Sequence, residues 1–340
     1  MARTVQKSGV LPVPNITLIE AVNLAMASEM RRDPNVVVLG EDIGRNGGVF
    51  RATLGLLDEF GEGRVIDTPL AETLVAAMAI GLSTQGIKAV AEIQFSGFLY
   101  PCVDQVVNHA ARYRNRTRGR MSCPLVIRAP NSGGIHAPEH HSESLETTFA
   151  QMPGLRVVCP SSPARAYGLL LAAIRDPDPV IFLEPTRLYR LFKQPVEDDG
   201  EALPLDSCFI DRSGADLTLV SWGAMMHDTR LVADQLAEEG ISAEVIDIAT
   251  LKPLDMATIL ASVAKTGRCV IVSESPRAGG WASEVAANLA EHGLLSLFAP
   301  VMRVAGYDTV MPLAQLERSY IPDTDRILRE VRKLFEMAPK

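Results

Sequence analysis

Short, continuously apolar runs alternate with longer amphipathic stretches along most of the chain. In the first half these runs are "NVVVLGE", "RVIDT", "KAVAEI", "PLVIRAP", "LRVVCP" and "PVIFLEP". Runs without polar alternation are typical of strands covered on both faces, as in a parallel sheet. The pattern therefore predicts an α/β fold in which a parallel sheet lies between two layers of helices.

The pattern changes after Tyr189 and then resumes. "LFKQPVEDDGEALPLD" carries prolines, a glycine and an acidic cluster without periodicity, and it predicts an exposed connection. Beyond it, "DLTLVSWG", "SAEVIDIAT", "RCVIVSES" and "VMRVAG" alternate with helical segments. We therefore predict an N-terminal extension over residues 1–15, a first domain over 16–190, a linker over 191–214 and a second α/β domain of four or five strands over 215–340.

The stretch "VIDTPLAETLVAAMAIGLSTQG" places a single carboxylate, Glu72, in an otherwise apolar segment. The run from Leu70 to Leu82 predicts a buried helix. Thr68 suits the N-cap and Pro69 the first helical position, so we expect the helix to begin there. Glu72 comes one residue too late for a capping box. Two interpretations remain, an acid that favours the helix N-terminus and a buried acid with a chemical role.

Composition and charge narrow the class of protein. The chain has 340 residues, of which 47% are hydrophobic, and this excludes disorder. Its net charge of −8 argues against nucleic-acid binding. No apolar run reaches the roughly 18 residues of a membrane helix, and the start of the chain lacks the apolar core of a signal peptide. We expect a cytoplasmic metabolic protein with neither nucleic acid nor membrane as a partner.

Cysteine usage and two short motifs add little. The five cysteines form no Cys-x-x-Cys, so they suggest neither a disulfide framework nor a zinc site. "GRNGGVF" is a glycine-rich turn without a phosphate-loop pattern, which favours a tight loop over phosphate binding. "RYRNRTRGR", from Arg112 to Arg120, fits a solvated helix end or, as the alternative, a partner-docking surface.

The segment "GGIHAPEHHSES" clusters His136, His140 and His141. Pro138 interrupts the regular helix on which a pair of zinc-binding histidines would share one face, so metal binding is disfavoured. Proton transfer near neutral pH and a purely structural loop are the two interpretations that remain.

Taken together and in this order, the motifs carry a family resemblance. They are "GEDIGRNGGVFRAT", "DTPLAE", "AIGLSTQG", "EIQFSGFLYPCVDQV", "RAPNSGGIHAPEHHSES", "PGLRVVCPSSPARAYGLLLAAIRDPDPVIFLEP" and "LYR". From about residue 16 to the C-terminus, the chain resembles the β chain of the two-chain, thiamine-diphosphate-dependent 2-oxo acid dehydrogenase decarboxylase component. "QFSGFLY" and "IHAPEHHSES" favour the pyruvate dehydrogenase branch. The branched-chain 2-oxo acid branch is the close competitor, and an acetoin dehydrogenase belongs to the same alternative. A transketolase-like enzyme and a non-catalytic scaffold are weaker alternatives.

The resemblance implies a thiamine-diphosphate pyrimidine-binding domain followed by a transketolase C-terminal-like domain. The family holds the diphosphate through Mg²⁺ with a Gly-Asp-Gly motif, which this sequence lacks. The resemblance therefore implies that an α chain carries Mg²⁺ and shares the cofactor in a heterotetramer of two α and two β chains. It also implies decarboxylation of a 2-oxo acid substrate, pyruvate first, and acyl transfer to the lipoyl group of an acyltransferase core. "SESPRAGGW", Ser273 to Trp281, would pack subunits and help to dock that core.

The resemblance also assigns roles to individual residues. Glu72 matches a glutamate that hydrogen-bonds a ring nitrogen of the cofactor's aminopyrimidine and assists proton removal from its reactive carbon. The residues that match the lining of this pocket are Glu41, Leu70, Gln94 and Phe98. His141 matches a histidine at the reactive end of the cofactor, and His136 matches a second one nearby; their order as proton donors stays open.

A monovalent-cation site, K⁺ in kind, is the last implied feature. It would be built largely from backbone carbonyls at Leu125, Ala173, Ile174, Asp176 and Asp178. Asp178 stands where the family usually has Asn. A plain helix-to-strand turn is the alternative interpretation of this segment.

Overall fold

The computed structural model describes residues 13–337. Residues 1–12 of the predicted N-terminal extension and the last three residues of the predicted second domain lie outside the described residues. The strands are β1 (Asn15–Ile16), β2 (Val36–Gly40), β3 (Val65–Asp67), β4 (Lys88–Glu92), β5 (Leu125–Asn131), β6 (Arg156–Val158), β7 (Val180–Pro185), β8 (Gln194–Pro195), β9 (Phe209–Arg212), β10 (Leu217–Ser221), β11 (Ala243–Asp247), β12 (Thr250–Lys252), β13 (Cys269–Pro276) and β14 (Met302–Gly306).

Helices connect most of these strands, and several have recognisable start signals. They are α1 (Leu18–Arg32), α2 (Leu56–Phe60), α3 (Glu72–Ser83), α4 (Tyr113–Arg116), α5 (Glu146–Ala150), α6 (Pro163–Arg175), α7 (Met225–Glu238), α8 (Met256–Thr266), α9 (Trp281–His292), α10 (Glu317–Tyr320) and α11 (Thr324–Met337). A capping box of Thr17 and Glu20 starts α1. Ser162 caps α6, whose first residue is Pro163. No helix within residues 13–337 is long and apolar enough to cross a membrane.

The first sheet has seven strands in the order β12-β6-β7-β5-β4-β2-β3. The six strands from β6 to β3 are parallel, and each coincides with one of the six apolar runs of the first half, to within one residue at the end of β5. Helices α1 and α6 pack together on one face, whereas α3 lies on the other. The predicted three-layer arrangement around a parallel sheet is confirmed.

The second sheet has five strands in the order β14-β13-β10-β11-β9. All neighbours are parallel except β9, which runs antiparallel to β11. Helices α7 and α11 cover one face, and α8 and α9 cover the other. The apolar core on the α8 and α9 side continues into the core beneath α3, so the two halves of the chain share buried surface.

Three short pairings depart from the predicted pattern. Strand β12 belongs to the second half of the chain but joins the first sheet, where it pairs antiparallel with β6 at the edge. Strand β8 pairs with β1, and both β8 and β9 fall within the segment 191–214 that the pattern predicts as an exposed connection. Edge strands of two to four residues form through backbone pairing, which leaves no periodic signal in the side chains.

Helix α3 also differs from its prediction. It begins at Glu72 rather than near Pro69, and Ala71 occupies the N-cap without a side-chain hydrogen bond. The backbone N–H of Thr68 donates to the carbonyl of Gly40 at 2.9 Å, so this residue extends the strand pairing instead of capping a helix. The helix is not wholly buried either, because Leu74 is 49% exposed.

Candidate active site

The predicted pocket residues lie at one edge of the first sheet. Strand β2 lies between β4 and β3, and all three are parallel. Glu41 follows β2 directly, Gln94 comes two residues after β4, and Glu72 opens the helix after β3. Because the carboxyl ends of parallel strands meet at the same edge, three side chains distant in sequence converge there.

The electrostatics of this edge are those of closely spaced carboxylates. Burial raises the pKa of Glu41, and the nearby charges of Asp42 and Glu72 raise it further, whereas the side chain of Gln94 lowers it. Glu72 is partly exposed. Glu41 therefore binds a proton more readily than a carboxylate exposed on the surface would.

The edge is open on the side of α3. Leu70 is 71% exposed, Leu74 is 49% exposed and Tyr100 is 51% exposed. The hydroxyl of Thr73 donates to the carbonyl of Pro101 at 3.2 Å, which ties the start of α3 to the 3₁₀ segment that carries Tyr100. Exposed apolar side chains beside partly exposed carboxylates are typical of a surface that another molecule covers.

Aromatic rings gather around His141 at the neighbouring part of the edge. The ring of His141 lies 4.2 Å from Phe95 and 5.3 Å from Phe98, both edge to face. Burial and the adjacent His140 lower the pKa of His141. Its Nδ1 is buried and has no hydrogen-bond partner among the described residues. Burial therefore favours the neutral form of the His141 ring, and one ring nitrogen has no hydrogen-bond partner within residues 13–337.

His136 does not join this cluster. Its side chain is 58% exposed, and its Nε2 lies 3.6 Å from the carboxylate of Glu317 in the second half of the chain. Within residues 13–337 it has none of the ring contacts that gather Phe95, Phe98 and His141. The structure thus separates the two histidines that the sequence left unranked.

A buried ionic network forms the floor beneath the edge, and we did not predict it. Arg128 on β5 donates to both carboxylate oxygens of Glu184, at 2.6 and 2.8 Å, and also binds Glu92. The hydroxyl of Tyr189 donates to Glu184 at 2.6 Å. The sequence does contain a signal, because Glu92, Arg128 and Glu184 are isolated charges inside apolar strand runs. A buried charge of this kind needs a partner.

The glycine-rich loop of residues 44–50 is anchored within the chain. The N–H groups of Gly44 and Arg45 donate to the carboxylate of Asp67, at 2.6 and 3.3 Å. A Cβ at Gly48 would lie 3.0 Å from a carboxylate oxygen of Glu92, so the backbone there lies against the buried network. Two of the N–H donors that a phosphate would need are already used.

The predicted cation residues lie at the turn between α6 and β7. The Asp176 side chain accepts from Arg156 at 2.8 Å and from the Asp178 N–H at 2.8 Å. The Asp178 side chain pairs with Arg114 at 2.7 Å. Ala173 and Ile174 end α6 and Leu125 starts β5. Because both carboxylates are paired with arginine side chains, the backbone carbonyls of these five residues remain as ligands.

Comparison with known proteins gives consistent matches over both halves. Residues 14–191 match the family "Transketolase, pyrimidine binding domain", and residues 207–327 match "Transketolase, C-terminal domain". The chain is 48% identical to "Pyruvate dehydrogenase E1 component subunit beta" of Bacillus subtilis, over 94% of this chain and 99% of that protein. It is 45% identical to the protein of the same name from Acholeplasma laidlawii, over 95% of this chain and 99% of that one.

A relative from the branched-chain branch and one solved structure also match the chain. "2-oxoisovalerate dehydrogenase subunit beta" of Bacillus subtilis is 45% identical, over 94% of this chain and 99% of that protein. The solved "Split gene transketolase, inactive beta4 tetramer" has the same fold, with a TM-score of 0.78 at 23% identity, covering 96% of this chain and 100% of that one. The chain therefore belongs to the thiamine-diphosphate-dependent family of β subunits of 2-oxo acid dehydrogenase E1 components, which work with an α subunit, and it combines transketolase pyrimidine-binding and C-terminal domains.

Proposed function

We propose that this chain is the β subunit of a pyruvate dehydrogenase decarboxylase component, an oxidoreductase that decarboxylates pyruvate and transfers the acyl group to a lipoyl group. The observation that carries the proposal is the convergence of Glu72, Glu41 and Gln94 at the carboxyl edge of β3, β2 and β4. The 48% identity to a pyruvate dehydrogenase β subunit, over nearly the full length of both chains, supports it.

The residues present fit the aminopyrimidine half of thiamine diphosphate. Carboxylate and amide side chains at the edge can bind the ring nitrogens and the amino group, and exposed Leu70 offers an apolar surface to the ring. His141 contributes a buried Nδ1 without a protein partner. When bound, thiamine diphosphate would supply the nucleophilic carbanion and the electron sink that decarboxylation of a 2-oxo acid needs. Phe98 would pack beside it.

Glu72 would hold a proton at its carboxylate oxygen against a ring nitrogen of the cofactor. Glu41, whose pKa is raised by burial and by Asp42 and Glu72, lies at the same edge. A carboxyl group can share a proton in this way when its pKa approaches the working pH. The side chain of Gln94, which lowers the pKa of Glu41, would help to orient that carboxyl group.

His141 would serve the acyl transfer. Opening of the lipoyl disulfide requires a proton at one sulfur, and an imidazole is a suitable donor near neutral pH. Because burial lowers the pKa of His141, its protonated form is a strong enough acid to give the proton up readily. The rings of Phe95 and Phe98 restrict its orientation. His136, turned toward Glu317, is the less suitable donor.

The α subunit would supply the other half of the site. The sequence has no Gly-Asp-Gly motif, so we propose that the α chain carries Mg²⁺ and the diphosphate. Leu70, Leu74 and Tyr100 are apolar or aromatic and about half or more exposed, which suits a covering partner. We further propose a heterotetramer of two α and two β chains that docks on a lipoyl acyltransferase core. The cytoplasmic location remains a prediction.

We also propose a structural K⁺ at the turn after α6. Its ligands would be carbonyl oxygens of Leu125, Ala173, Ile174, Asp176 and Asp178. Since the Asp178 carboxylate pairs with Arg114, the change from Asn to Asp at this position would leave a backbone ligand intact.

A branched-chain 2-oxo acid dehydrogenase is the second candidate function, because a 2-oxoisovalerate dehydrogenase β subunit is 45% identical over the same span. The test is a rate panel on the complex co-expressed with its α chain, using pyruvate, 3-methyl-2-oxobutanoate and acetoin. We expect kcat/KM for pyruvate to exceed that for the branched acid by at least about tenfold, the discrimination that a few methylene groups can give. A preference for the branched acid or for acetoin would overturn the substrate assignment.

A further inference from the structure

The loop that follows β5 is held in a strained conformation. Ser132 and His136 have positive φ angles of 72° and 60°, although neither is glycine, and Gly134 between them has 89°. Such conformations are energetically unfavourable outside glycine and persist only where the surroundings fix them. This loop carries His136 and leads directly to His141, so the groups that fix it also determine where the histidines lie.

Two buried carboxylates from the second half of the chain bind the backbone of this loop. Glu274 on β13 accepts from the Gly133 N–H at 2.5 Å. Glu317, the first residue of α10, accepts from the Gly134 N–H at 2.8 Å and from the His136 N–H at 3.1 Å. Glu274 is 3% exposed and Glu317 is 2% exposed. A hydrogen bond in such a buried setting is electrostatically stronger than the same bond in water.

The dependence runs in both directions. Buried carboxylates need donors, and the guanidinium of Arg187, whose charge acts on Glu274, pairs with Asp228 at 2.8 Å. The loop N–H groups are therefore the hydrogen-bond donors of Glu274 and Glu317 among the described residues. The loop also has little room to rearrange, since a Cβ at Gly134 would lie 2.5 Å from the Arg187 side chain.

We propose that Glu317 and Glu274 are positioning residues, by which the second domain holds the histidine loop of the first domain in the conformation used for acyl transfer. The role in acyl transfer rests on the proposed function, whereas the hold on the loop does not. Glu317 binds two of the three N–H groups, so it is the principal support. The two domains thus build one site together, although the second contributes no side chain that touches the cofactor pocket in our assignment.

The test compares Glu317→Ala and Glu317→Gln in the complex with the α chain, and it follows amide hydrogen exchange over residues 132–142. Glu317→Ala removes the acceptor, so exchange at Gly134 and His136 should accelerate at least about tenfold. Glu317→Gln keeps an amide oxygen that can accept both bonds, so exchange should stay within about threefold of wild type. The matched control is Glu244→Gln.

Glu244 is a suitable control because it is also buried and in the second half, at 2% exposure, and accepts from the Gly214 N–H at 3.3 Å. Its variant should leave exchange of the histidine loop unchanged. If the loop of Glu317→Ala exchanged at the wild-type rate, the proposed positioning role would be overturned. The same conclusion would follow if the loop exchanged as fast in Glu244→Gln as in Glu317→Ala.

Rate measurements on the same variant test whether the position of the loop matters for acyl transfer. In Glu317→Ala, reductive acylation of the lipoyl domain should fall at least about tenfold more than decarboxylation measured with an artificial electron acceptor. Equal loss in both reactions would overturn the link to acyl transfer. If the wild-type complex performs neither reaction, the proposed function fails, and the exchange measurement alone still decides whether Glu317 positions the loop.

Discussion

Both sheets carry carboxylates where their parallel strands end, but the two edges differ in what those carboxylates contact. In the first sheet Glu41 and Glu72 are partly exposed. In the second, Asp247 at the end of β11 and Glu274 on β13 are 0% and 3% exposed. Asp247 accepts from the Ser161 hydroxyl at 2.5 Å, as Glu274 does from the loop after β5. The edge of the first sheet is open to a ligand, and we call it the open edge. The edge of the second sheet holds the two halves of the chain together, and we call it the closed edge.

The comparison shows that carboxylates near the ends of parallel strands can take different roles, one in binding a ligand and the other in joining two parts of the chain. Burial raises the pKa of Asp247 to about 6 and that of Glu274 to about 7. Burial and like charge raise the pKa of Glu41 in the open edge as well. A perturbed pKa therefore does not identify the active edge by itself. Access does, together with the exposed apolar side chains of Leu70 and Leu74.

The largest expected effect comes from the open edge. Glu72→Gln keeps the shape of the side chain but removes its ionisable proton, so the decarboxylation rate of the complex should fall by about 100-fold or more. Because Glu72 is partly exposed, the melting temperature should stay within about 2 °C of wild type. Decarboxylation followed with an artificial electron acceptor and a thermal melt provide the two measurements. Exposed Glu62→Gln is the control, and a rate for Glu72→Gln within threefold of it would remove Glu72 from the mechanism.

The next effect distinguishes two reactions within the open edge. His141→Ala removes the proposed proton donor for lipoyl ring opening, so reductive acylation of the lipoyl domain should fall at least about tenfold more than decarboxylation. His140→Ala alters the exposed neighbour and should change neither rate by more than threefold. Of the two candidate donors, His136 should give the smaller effect when replaced by alanine. Equal losses in both reactions would place His141 before acyl transfer, and full retention would make it structural.

The smallest effect is a pH dependence of stability that belongs to the closed edge. Between the usual carboxyl pKa and about 7, Glu274 stays protonated in the folded chain and ionises in the unfolded one. The free energy of unfolding should therefore fall as pH rises through this window, by roughly 1–3 kcal/mol from this group. The groups that face Glu274 are Glu146, Arg187, Glu317 and Tyr320.

Urea unfolding at pH 5.5, 6.5 and 7.5 measures this effect, with Glu274→Gln beside wild type. The variant cannot titrate at this position, so its stability should fall less over the same range. Parallel curves for the two proteins would show that Glu274 is ionised throughout and would contradict the assigned cause.

The open edge could be predicted from the sequence more completely than the closed one. The apolar runs located the strands of the parallel sheet, and the motifs around Glu72 and His141 supported the family resemblance, which the comparisons confirm. The start of α3 was wrong because Thr68 pairs with Gly40. The contacts of Glu274 and Glu317 with the histidine loop join residues over 140 positions apart, and no local pattern reports such contacts. Isolated charges in apolar strands were the one signal that could have revealed Arg128 and its partners.

The central claim is that this chain provides only the aminopyrimidine half of a shared site. The most direct measurement compares thiamine-diphosphate binding and pyruvate decarboxylation by the chain purified alone and by the same chain co-expressed with its α chain. We predict weak binding and no turnover for the chain alone, with both restored in the complex, because the diphosphate motif is absent from this sequence. Tight binding and substantial turnover by the chain alone would contradict the account.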